Sequence, residues 1–74
     1  MNEHTEKQIT TFMRILIALG LNETEILGIC SMLKTEDMLF EMLDKMEEKD
    51  FKLTPQETMN ICGGVIKAHL SDNP

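Results

Sequence analysis

Apolar residues recur along this chain at helical spacing in four blocks, and each block is preceded by residues that can start a helix. The densest block is Phe12–Leu21, FMRILIALGL, in which Arg14 is the only charged residue. A helix that is apolar on nearly every face must be surrounded by other elements. The pattern therefore predicts a compact, all-α, four-helix domain of orthogonal or irregular packing, built around a buried N-terminal helix. The expected helices run over residues 5–19, 23–33, 36–49 and 55–70, with 1–4 and 71–74 frayed, and residues 1–74 form one domain.

Start and stop signals define these boundaries. Thr5 and Gln8 fit a capping box for helix 1. Gly20 is placed to end it in the left-handed conformation, with Leu21 packing back on Leu16. Asn22 and Glu25 form a second capping box, and Leu21 can staple to Ile26. Thr35 is a candidate cap for helix 3, with Glu36 and Asp37 favouring the positive end of its dipole. Phe51-Lys52-Leu53 reads as a linker with two apolar anchors. Thr54-Pro55-Gln56-Glu57 then supplies a cap, a proline at the first helical position and the glutamate of a capping box. Gly28 and Gly63-Gly64 fall inside helices, at a cost of about 1 kcal/mol each relative to alanine. Close approach of another backbone, or a kink at 63–64, would account for them. The expected core comprises Phe12, Leu16, Leu19, Ile26, Ile29, Cys30, Leu33, Leu39, Leu43, Met59, Cys62 and Ile66.

Composition narrows the function. A chain of 74 residues buries only about 60% of the surface its unfolded form exposes, so help from a metal, disulfides or a partner subunit is common at this size. Two cysteines do not make a disulfide framework. The polar start, MNEHTEKQ, is not a secretory signal, and the apolar run is shorter than the ~20 residues a membrane span needs. The expectation is a soluble, cytoplasmic protein with reduced thiols. The net charge of −6 works against phosphate backbones, and the absence of Trp and Tyr works against base stacking.

Few residue sets could carry chemistry. Cys30 and Cys62 lie on apolar helix faces, and His69 shares a face with Cys62, so a thiol or metal sensor is conceivable. Structural zinc sites, however, show paired ligands at short spacing, and a buried free cysteine behaves as a small hydrophobe. Met38, Met42 and Met46 are spaced by four on one side of helix 3. They could fill the core, or form an adaptable face for a partner helix. With the Gly63-Gly64 strip they are the interface candidates. Residues 36–50 hold seven acids and two lysines, which reads as a solvated face. No nucleophile elbow, phosphate loop or dinucleotide fingerprint is present, and neither a catalytic role nor a cofactor is expected. The leading expectation is a small acidic protein-interaction module that associates with itself or with another helical protein. A helix-turn-helix regulator using helices 2 and 3 is the alternative, although the would-be reading helix opens Thr35-Glu36-Asp37.

Overall fold

The computed structural model describes residues 3–71. Four helices follow in order, α1 (Glu3–Ala18), α2 (Glu23–Ser31), α3 (Glu36–Glu47) and α4 (Pro55–Ser71), with no strand among the described residues. Met1–Asn2 and Asp72–Pro74, parts of the expected frayed ends, lie outside the described residues, whereas Glu3, His4 and Ser71 are helical.

Three of the four expected helix starts are made by the expected side chains. Asn22 Oδ1 accepts from the Glu25 amide at 2.8 Å, and the Asn22 amide donates to Glu25 Oε1 at 2.9 Å. Thr54 and Glu57 repeat this reciprocal pair at 3.1 and 2.9 Å, and Thr35 Oγ1 accepts from the Met38 amide at 3.3 Å. Each arrangement satisfies backbone N–H groups that have no intrahelical acceptor. The first start differs. Thr5 is inside α1 and buried, and its hydroxyl donates to the Glu36 side chain at the beginning of α3. It is a tertiary tie, not a cap, and Gln8 Oε1 is left buried without a hydrogen-bond partner.

α1 ends as its sequence dictates. Gly20 has φ of +95°, its amide donates to the Ile17 carbonyl at 3.0 Å, and the Leu21 amide donates to the Leu16 carbonyl at 3.1 Å. This is the paired-bond Schellman ending, with Leu16 and Leu21 both buried. α3 ends with the same pair of bonds, Asp50 to Glu47 and Phe51 to Met46, but without a glycine. Asp50 and Phe51 take φ of 54° and 56° instead.

The core is formed by Phe12 and Leu16 of α1, Leu21, Ile26 and Ile29 of α2 and its corner, Leu33, and Met38, Leu39, Met42 and Met46 of α3, closed by Cys62 and Val65 of α4. α3 and α4 make the most extensive helix–helix contact, and α1 packs on α2 and α3. The expectation of a buried N-terminal helix at the centre therefore gives way. α1 buries only Thr5, Phe12 and Leu16 and leaves Arg14, Ile17 and Ala18 exposed, because two neighbours can cover only one side of it. Leu19, Cys30, Leu43, Met59 and Ile66 are half-buried at the edge of the core. On α4 the innermost line is Thr58, Cys62 and Val65; Cys62 is as expected, while Thr58 and Val65 take the places expected for Met59 and Ile66. Thr58 is accommodated because its hydroxyl donates to the Thr54 carbonyl at 3.0 Å. Phe51 is exposed, so Leu53 alone anchors the linker. Among the described residues, no helix is long and apolar enough to cross a membrane.

Candidate interaction surface

Of the residues expected to form an interface, the three methionines are not where an interface needs them. Met38, Met42 and Met46 are 3%, 0% and 0% exposed. Their spacing of four aligns them with the centre of the α3 stripe, where long flexible thioethers fill the core. They offer no face to a partner. Gly63 and Gly64 do lie on the surface, yet α4 runs unbroken through them and a Cβ added at either would meet nothing within 4 Å. Gly28 likewise faces open space, so close approach of helix 1 is not its compensation.

The sulfur and imidazole groups are also dispersed. Cys62 is fully buried on α4 and Cys30 half-buried on α2, and both are free thiols. Burial pushes the Cys62 thiol up to about 11, with the neighbouring Cys30 adding to the effect, and burial also raises Cys30. Neutral thiols are poor nucleophiles and poor metal ligands. His69 turns to α3 instead, its Nε2 lying 2.7 Å from Glu41 Oε2. No group of three or more His, Cys, Asp or Glu among the described residues could hold a metal ion. The His69–Glu41 tie, 28 residues apart in sequence, had no local signal that could have revealed it.

What the structure does expose is apolar surface on α1 and α2. Ile17 is 61% exposed and Leu27 is 55% exposed. Both line one open groove of about 440 Å³, with Met13, Leu21 and Ile26 at its base and Glu23 at its edge. The corner Leu19–Asn22 creates this groove. The Schellman ending and the Asn22 capping box turn the chain so sharply that the last turn of α1 and the first turns of α2 lie side by side. The inward residues Leu16, Leu21 and Ile26 reach the core, and Ile17 and Leu27 are left on the outer side. Phe40, Phe51 and Leu70 are exposed as well, but none lines this groove, and scattered apolar residues are ordinary on protein surfaces. Ile17 was legible in the sequence as an apolar position in excess of one helical face. What the sequence did not show is that Leu27 of α2 would share a groove with it.

A smaller and more enclosed cavity of about 210 Å³ lies between α1 and the start of α3. Ile9, Leu33 and Leu39 line it, as do Thr5 and Glu36, whose hydrogen bond ties the two helices together there. No family model, curated protein or solved structure matches this chain.

Proposed function

We propose that this protein is a small acidic interaction module, associating with itself or with another helical protein, and that the groove between α1 and α2 is its binding face. The observation that carries the reading is the pairing of Ile17 and Leu27, two large aliphatic side chains more than half exposed on one apolar groove. Contiguous exposed apolar surface costs free energy in water and is recovered on association. An amphipathic helix laid in the groove, or a matching apolar face, would cover both residues. The face differs from the methionine stripe of α3, which is committed to the core. Binding is favoured over transcriptional regulation because α3, which would have to enter a DNA groove, presents Glu36, Asp37, Asp44, Glu47 and Glu48 to solvent, and phosphates repel such a surface.

Site-specific photo-crosslinking in the cells that make the protein tests this reading. A photoreactive residue at position 17 or 27 is expected to give a discrete adduct, and one at exposed Glu47 on α3 is not. Adduct yields at 17 and 27 no higher than at 47 would overturn the assignment of the face.

A further inference from the structure

The cavity between α1 and the start of α3 shares no lining residue with the groove of α1 and α2. We infer that it binds a free amino acid with an aliphatic side chain, which lies on Ile9, Leu33 and Leu39 while its ammonium group meets Glu36 and its carboxylate meets Lys34.

The apolar walls set the first requirement. Leu33 and Leu39 are buried and Ile9 is half-buried, and together they line the cavity with hydrocarbon. Its volume of about 210 Å³ is ample for a side chain the size of leucine, since a cavity of ~150 Å³ accommodates benzene. Water finds few polar partners on such walls, and an aliphatic group gains by leaving water for them.

The two charged lining residues set the second requirement. Lys34 and Glu36 are both exposed. Thr35 between them is extended, with φ of −140° and ψ of 160°. Side chains that flank an extended residue point the same way, roughly 7 Å apart along the backbone. No ion pair joins the two, and the Lys34 side chain has no partner among the described residues. Glu36 is anchored instead. Its Oε1 accepts from the buried Thr5 hydroxyl, which ties the carboxylate to α1. Its Oε2 has no partner among the described residues. A carboxylate already held in place loses little further freedom when it receives a ligand ammonium, and the unpaired lysine can donate to a ligand carboxylate.

One charge of each sign beside hydrocarbon matches a zwitterion with an apolar side chain. A fatty acid would satisfy Lys34 and set its carboxylate near Glu36. An alkylamine would satisfy Glu36 and set its ammonium near Lys34.

Isothermal titration calorimetry of the full chain at neutral pH is the test, with L-leucine, L-leucinamide, isocaproate and glycine as probes. Leucine is expected to bind saturably, at one site per chain. Leucinamide lacks the carboxylate and isocaproate lacks the ammonium, so each should bind about tenfold more weakly. Glycine, without a side chain, should give no measurable binding. Glu36→Gln keeps an acceptor for the Thr5 hydroxyl and removes the charge. It should weaken leucine and leucinamide by about tenfold and leave isocaproate no weaker. Lys34→Gln should weaken leucine and isocaproate and spare leucinamide. Absence of leucine binding at millimolar concentration would overturn the inference. So would equal binding of leucine, leucinamide and isocaproate, which would make this a site for apolar molecules alone. Circular dichroism checks that each variant retains its helices, and the probe series on the wild-type chain decides the question if either does not.

Discussion

At the scale of single residues, burial separates two classes of apolar side chain that look alike in sequence. Met42 is enclosed and Leu27 is not. Met42→Ala should destabilise the fold by about 2–5 kcal/mol, the usual cost of emptying a core position. Leu27→Ala should change stability by no more than about 0.5 kcal/mol, and urea denaturation of both variants measures the contrast. Cys62 gives a second residue-scale expectation. Its folded-state value of about 11 lies above the ordinary thiol value of 9.0. The folded chain therefore holds that proton more tightly than the unfolded chain does. Its contribution to stability is complete below pH 9.0 and is lost as pH rises through about 11. Thermal unfolding followed from pH 8 to pH 11 should show an alkaline loss of stability that is reduced in Cys62→Ala, after allowing for that variant's lower starting point. Glu57 runs the other way. Hydrogen bonds from the Thr54 backbone and side chain hold its carboxyl below the ordinary range, so the support it gives α4 is present at neutral pH and declines in acid.

At the scale of elements, the caps and stops follow local chemistry closely and the helix interiors follow it less well. Gly28 and Gly63 each occupy a helix interior with open space where a Cβ would stand. Gly28→Ala and Gly63→Ala should each stabilise the monomer by about 1 kcal/mol, read as a rise in the midpoint of thermal unfolding. Gly20 should behave in the opposite sense. Its φ of +95° suits glycine, and a Cβ there would lie 3.1 Å from Pro55 Cγ, so Gly20→Ala should cost about 1 kcal/mol or more. The α3 terminus completes the comparison. It uses the same pair of backbone bonds as α1 but puts Asp50 where α1 has glycine. Asp50→Gly should relieve that left-handed residue and stabilise the chain by about 1 kcal/mol.

At the scale of the whole molecule, contact is uneven. α3 and α4 share the most extensive interface, contribute Met42, Met46, Cys62 and Val65 to the core, and are tied by the His69–Glu41 pair. α2 has only nine residues and leaves Leu27, Gly28 and Ser31 to solvent. Regions with more buried apolar contact open less often. Native-state hydrogen exchange should therefore be slowest for amides on the facing sides of α3 and α4 and fastest for α2, and slowest exchange in α2 would contradict this packing. A groove lined by α2 is then built on the less stable part of the fold, and a partner bound there should slow α2 exchange in particular.

The sequence by itself determined the class of fold, the number of helices and most of their ends. Those features depend on groups a few residues apart, such as Asn22 with Glu25, Thr54 with Glu57, and Gly20 with Leu21 and Leu16, and helical spacing brings such groups together whatever surrounds them. The amphipathic stripe of α3 was legible for the same reason. The expected core was right for Phe12, Leu16, Ile26, Ile29, Leu33, Leu39 and Cys62, and tertiary structure decided which of the remaining apolar side chains ended up inside. Ile17 and Leu16 are adjacent and equally apolar, yet one is exposed and the other enclosed, because helix–helix packing rotates α1 until only one side of it is covered. The same docking put Thr58 and Val65 of α4 inside in place of Met59 and Ile66, took Thr5 from a cap to a bond with Glu36, put the three methionines into the core and left Ile17 and Leu27 in one groove. Burial depends on the angle and rotation at which separate helices meet, and no residue encodes those quantities locally.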